Sequence, residues 1–160
     1  MIERKILMAI RNILNKRDET LHKVCKPVEK FDDKIFTLLD DMADTLAKAE
    51  GVGLAAPQVG ILRRAVIIDA GEGLFELINP EITWQSEETH KVVEGCLSCP
   101  GEWGYTIRPI SVKFKAQNRN GEWYEKEVSD LFAQAVCHEL EHLDGHIFTE
   151  KVVEFVEVKE

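Results

Sequence analysis

Ile35, Leu38, Leu39, Met42 and Leu46 recur at intervals of three and four residues, the spacing of one apolar face of an α-helix. The pattern predicts a helix over 33–49, with Asp32 or Asp33 as its N-cap and Gly51 as its stop. Short β-type runs follow at 65–69, 74–79, 82–85 and 111–117, the last with Val112, Phe114 and Ala116 alternating with polar neighbours. Asn120–Gly121 is a hairpin signal before a further strand at 123–128. A second helix is predicted from about Asp130 to Leu143, capped by Ser129 or Asp130 and ended by Gly145. Leu131, Phe132, Ala135, Val136, Leu140 and Leu143 lie almost all the way round it, so this helix belongs inside the protein. Helix, strands, helix is the order of an α+β fold, with antiparallel β-sheets packed around a buried C-terminal helix. At 160 residues, without repeats or linker-like tracts, the expectation is one domain over 1–160.

Composition narrows the partners. A net charge of −9 argues against DNA or another phosphate backbone as the main partner. The first thirty residues carry eight basic and four acidic side chains, a local basic patch read as a solvated surface in preference to a contact with ribosomal RNA. No apolar run approaches the roughly 20 residues that span a bilayer, and no signal-peptide pattern is recognisable, which leaves no membrane role and makes the cytoplasm the expected compartment. Cys25, Cys96, Cys99 and Cys137 are then thiols or ligands rather than bridges. Met1 and Met8 are both acceptable starts.

The buried helix contains HELEH, residues 138–142. His138 and His142 are four apart, so both imidazoles leave one face and can hold one divalent cation. Glu139, about 100° round the helix, reaches a water beside the ion instead of the ion itself. A catalytic site needs a third protein ligand. Position 148 is Phe, where one class of HExxH peptidase would need His, and His146 lies beyond the helix end. The ligand is therefore sought upstream, in EGCLSCPG, residues 94–101. Cys96 is favoured as a soft donor, with Cys99 a packing residue. The two form a single CxxC, without the second one a zinc ribbon needs or the βαβ context of a redox motif. Cys137, beside His138, is read as packing. GVGLAAPQVG, residues 51–60, reads by itself as a helix-to-strand turn with an exposed Gln58.

Together, GVGLAAPQ, EGCLS and HExxH, in this order and at these separations, resemble the three signature motifs of the peptide deformylase family, over residues from about 8 to 155. The resemblance implies an α+β fold and hydrolysis of the N-formyl group from the first methionine of new polypeptides. It implies Cys96, His138 and His142 as metal ligands and Glu139 as general acid/base, with Gln58 and the Leu97 N–H as oxyanion donors. Gly51, Gly53 and Leu54 match the framework of the first motif. The expected cofactor is one divalent ion, Fe(II) in first place, with Ni, Co or Zn as substitutes. The partners implied are N-formylmethionyl nascent peptides, with transient ribosome contact.

This chain departs from the family in having Glu141 where Asp is common, expected to face solvent or an ion pair, and Cys99 where Ile or Val is common, which sets a second thiol beside the ligand. The long C-terminal helix of some members has no counterpart in the resemblance. Leu131, Gln134 and Ala135 lie seven, four and three residues before His138 and so share its side of the helix. With Val52 and Val92 they are expected to line a methionine pocket, Gly51 and Gly53 standing on the same substrate side. The rivals are a peptidase that cuts internal bonds and a non-catalytic metal-binding module closed by a fourth ligand.

Overall fold

The computed structural model describes residues 9–157; the question of Met1 or Met8 as the start lies outside them. Helix α1 is Asp33–Ala49 and helix α2 is Asp130–Leu143. The strands are β1 (Gly53–Ala55), β2 (Ala65–Asp69), β3 (Leu74–Gln85), β4 (Thr89–Cys96), β5 (Cys99–Pro109), β6 (Ser111–Gln117), β7 (Trp123–Ser129) and β8 (Glu154–Val156). They form a five-stranded sheet in the order β1-β2-β3-β6-β7 and a three-stranded sheet in the order β4-β5-β8, with antiparallel pairing throughout. The expected α+β architecture is the one found.

Both helices keep their predicted spans. The Asp32 carboxylate accepts from the N–H groups of Lys34 and Ile35, satisfying two donors that the first turn of α1 leaves free. The left-handed residue that ends α1 is Glu50, at φ 55°, and Gly51 follows it to donate back to Leu46. At the other helix, Arg64 donates to the Leu143 carbonyl at 3.1 Å and pairs with Asp144 at 3.0 Å, placing a cation on the negative end of α2. Gly145 then turns the chain at φ 82°, where a Cβ would stand 2.8 Å from the His22 backbone.

β2 explains how one sheet carries a helix on each face. Val66 and Ile68 join the core under α2, while Ala65 and Ile67 join the core under α1, and all four are fully buried. Such a strand reads as a continuous apolar run because neither face meets water. Leu39 and Met42 of α1 are fully buried, each worth roughly 1.5–3 kcal/mol over exposure. On α2, Phe132, Ala133, Val136, Leu140 and Leu143 fill the other core, with Phe132 edge-on to Phe75 at 5.3 Å.

The strands depart from the sequence pattern in two ways. The runs at 74–79 and 82–85 are one strand, carried past Pro80 by register shifts between Ile78 and Glu81 and by Asn79 at φ 51°. β1, β4, β5 and β8 were not anticipated, residues 51–60 having been read as a turn. Asn120–Gly121 does turn the chain, but Gly121 alone has positive φ there, and the Asn118 side chain accepts from Asn120 and Glu122 to hold a longer loop.

Candidate active site

The two sheets meet over α2. β1 is an edge of the larger sheet and β4 an edge of the smaller, and the helix carrying His138, Glu139 and His142 is buried between them. Cys96, the last residue of β4, brings its Sγ to 3.3 Å from His142 Nε2. The donor atoms of Cys96, His138 and His142 all lie within 4.8 Å of one another. A tetrahedral ion bound to N and S at about 2.0–2.3 Å sets its ligands roughly 3.3–3.8 Å apart. The cluster is therefore of the right size, and among the described residues it has three members, with Cys99 outside it.

Protonation suits the same purpose. Burial, and then the nearby His138, pushes His142 down to about 3, so its ring is neutral and offers a lone pair. The Cys99 thiol and burial both push Cys96 upward, so its thiolate calls for a cation. The Glu139 carboxyl is raised by burial to about 7, and its Oε1 is buried with no hydrogen-bond partner among the described residues. A buried, unpartnered carboxylate is costly unless something beside it answers the charge. Glu139 Oε2 lies 4.0 Å from His138 Nε2, and a Cβ on Gly53 would stand 2.6 Å from that oxygen. Glycine at 53 is what lets β1 pass so close to Glu139.

His138 is held from behind. Its Nδ1 lies 2.6 Å from Glu94 Oε1, which leaves Nε2 to face the cluster. Glu94 also accepts from Thr106 Oγ1 at 2.6 Å and from Arg108 Nη2 at 2.6 Å and Nε at 3.0 Å. Arg108 reaches on to Glu141 at 2.7 and 3.0 Å, and Lys151 adds a second partner for Glu141 at 3.2 Å. Glu141 therefore sits in an ion pair. Burial opposes the charge on Glu94, but hydrogen bonds from His138 and Arg108 hold its carboxyl at about 2. Glu94, Thr106 and Arg108 were missed in the sequence. Their signal is the period of two that places Glu94 on the face of Cys96, and it is readable only once 89–96 is recognised as a strand.

Gln58 is 1% exposed, contrary to the exposed turn residue its own segment suggested. Its Oε1 accepts from the Ala55 N–H at 3.0 Å. Its Nε2 donates to Ser98 Oγ at 3.1 Å and lies 3.6 Å from Cys96 Sγ, so the amide's donor end faces the cluster. Leu97 stands in the turn between β4 and β5, its side chain against Gly51. Val92 and Val52 are half-buried, Ala135 is buried, and Leu131 is 49% exposed. Gln134 donates to the Val93 carbonyl at 3.0 Å and so ties α2 to the edge of β4.

A buried HExxH helix whose two imidazoles meet a thiolate from a neighbouring strand is the construction of a metal-dependent hydrolase with one ion. The particular family follows from comparison with known proteins. The sequence pattern of the polypeptide deformylase family matches residues 10–157, and the chain belongs to that family. The peptide deformylase of Caldicellulosiruptor bescii is 54% identical over 96% of this chain and 92% of its own length. That of Acetivibrio thermocellus is 54% identical over 96% and 89%. The crystal structure of peptide deformylase from Thermotoga maritima superposes with a TM-score of 0.88, at 38% identity over 89% of this chain and 97% of that one. The peptide deformylase of Synechococcus elongatus in complex with actinonin gives 0.87, at 32% identity over 91% and 80%.

Proposed function

We infer that this chain removes the N-formyl group from the N-terminal methionine of newly synthesised polypeptides by metal-dependent hydrolysis, releasing formate. The observation that carries the reading is the meeting of Cys96, His138 and His142 beside the buried carboxyl of Glu139, whose Oε1 has no hydrogen-bond partner among the described residues. In this reading those three residues are the metal ligands. A thiolate with two imidazoles suits Fe(II), the ion proposed here, and accommodates Ni, Co or Zn. When bound, the ion acidifies a water and polarises the formyl carbonyl.

The protein's own groups do the rest. Glu139, raised to about 7, takes the proton of the attacking water and returns it to the departing α-amine. The Gln58 amide, fixed by Ala55 and Ser98, donates to the developing oxyanion together with the Leu97 N–H. Glu94 holds the His138 ring by its far nitrogen. Val52, Val92, Leu131, Gln134 and Ala135 receive the methionine side chain, and Gly51 and Gly53 let the peptide and Glu139 approach β1.

The whole chain, 1–160, acts as one catalytic domain. Among the described residues no helix is long and apolar enough to cross a membrane, and the cytoplasm, where nascent chains are made, is the proposed compartment. Contact with the ribosome is transient in this account. Arg11, Lys26, Lys30, Lys34 and Arg63 line one groove, but Glu29, Asp32 and Asp33 line it too, a mixed surface rather than a phosphate-binding patch. The test is a pair of assays on one preparation. Formate should be released from a formyl-methionyl peptide while casein stays intact; casein fragments without formate would assign the site to a peptidase.

A further inference from the structure

We propose that Cys96 and Cys99 form a reversible thiol–disulfide switch, in which a hydroperoxide that finds the site without its cation turns the ligand thiol into half of a disulfide. The proposal rests on the reading of Cys96 as a metal ligand. The two residues are direct cross-strand partners, joined by the turn at Leu97 and Ser98. Facing residues of an antiparallel pair have Cα atoms about 4.5–5.5 Å apart, with side chains on one face, inside the roughly 4.4–6.8 Å that a disulfide spans. The ladder is irregular between Gly95 and Cys96, so the hairpin end can adjust without disturbing the rest of β4.

Both thiols lie at one small apolar cluster with Leu21, Ile147 and Phe148, whereas Cys25 and Cys137 belong to the separate core under α2. The pair is also asymmetric. Cys96 is half-buried and Cys99 is 1% exposed, so the oxidant reaches Cys96 first. In the first step the Cys96 thiol takes one oxygen from the hydroperoxide, giving a sulfenic acid and the alcohol, or water where the oxidant is hydrogen peroxide. In the second the Cys99 sulfur attacks the Cys96 sulfur, the S–OH bond breaks, and water leaves with the Cys99 proton. Without a neighbouring thiol, a sulfenic acid proceeds to sulfinic acid and the ligand is lost for good. Cys99 thus converts a permanent loss into an off-state that a dithiol reverses. A bound cation holds the sulfur lone pair and guards it.

The test compares zinc-loaded and chelator-treated protein, each exposed to hydrogen peroxide and then read by alkylation, peptide mass mapping and zinc rebinding. The metal-free protein should lose two of its four alkylatable thiols, yield a peptide linking Cys96 to Cys99, and lose its zinc equivalent until dithiothreitol restores it. Cys99→Val and Cys99→Ser should bind zinc before treatment, then gain two oxygens at Cys96 and stay unable to bind zinc after reduction. Sulfinic acid at Cys96 in the wild type at the rate seen in the variants would overturn the proposal, as would a bridge to Cys25 or Cys137. Unhindered alkylation of Cys96 in the zinc-loaded protein would instead contradict the ligand assignment, and the disulfide result would stand apart from it.

Discussion

Glu139 shows how closely single residues are matched here, because its carboxyl is buried against Gly53 and its Oε1 has no hydrogen-bond partner among the described residues. Glu139→Gln keeps the shape and removes the proton carrier. It should retain the ion at wild-type stoichiometry and lose about 10²–10⁴-fold in kcat; near-normal turnover would remove Glu139 from the acid/base role. Gly53→Ala places a methyl 2.6 Å from Oε2 and 2.9 Å from Cγ, so the carboxyl must move. A displacement of that order costs roughly 10²-fold in rate, and the loss should appear in kcat with metal content unchanged. Cys99→Val should stay active because it fills a similar volume, whereas Cys96→Ser should bind metal and turn over poorly; the reverse ranking would mean that the other sulfur is the ligand. The histidines were legible because i and i+4 on a helix is a fixed geometry. Gln58 was named by the family resemblance, but its burial was not legible in its own segment, since the Ala55 and Ser98 groups it bonds are brought together by a 3₁₀ turn and a hairpin.

At the level of elements, the β4–β5 hairpin and α2 are joined through the buried chain His138–Glu94–Arg108–Glu141. Removing one member of such a buried pair leaves its partner's charge uncompensated and costs on the order of 3–5 kcal/mol. Glu94→Gln or Arg108→Met should therefore lower stability by about that much in denaturant unfolding, beyond any loss of activity. Glu94 also sets an acid limit. Its folded value of about 2 lies below the ordinary 4.5, so its contribution is complete above that range and is lost as pH falls from about 4.5 to 2. The Glu94→Gln protein should show a flatter acid-unfolding curve across that window, and an unchanged curve would refute the linkage. α1 and α2 could be read from periodicity and caps, β2 from its apolar run and β6 from its alternation of apolar and polar residues. β4 and β5 were hidden because Gly95, Pro100, Gly101, Gly104 and Pro109 punctuate them like loops. Trp103 lies over Gly95, and the side chain of Val152 fills the space beside Gly104, so two of those glycines are packing sites inside a sheet.

On the scale of the whole molecule, two edge strands from different sheets and one buried helix converge on a single donor cluster. The fold class was legible from the order of elements. The division into two sheets was not, because it depends on a β4–β5 hairpin that reads as loop and on β8, beyond α2, pairing back onto β5. An ion that binds only the folded chain adds its binding free energy to stability, so the metal-loaded protein should melt at a higher temperature than the chelated one. The central claim is that formyl hydrolysis depends on an ion at Cys96, His138 and His142. The most direct test removes the ion anaerobically, verifies its absence by elemental analysis, and titrates Fe(II), Ni(II) or Co(II) back while formate release is followed. Activity should start from nothing and rise in proportion to bound metal until it levels at one ion per chain, with His142→Ala failing to respond. Full formate release from the verified metal-free protein would contradict the account.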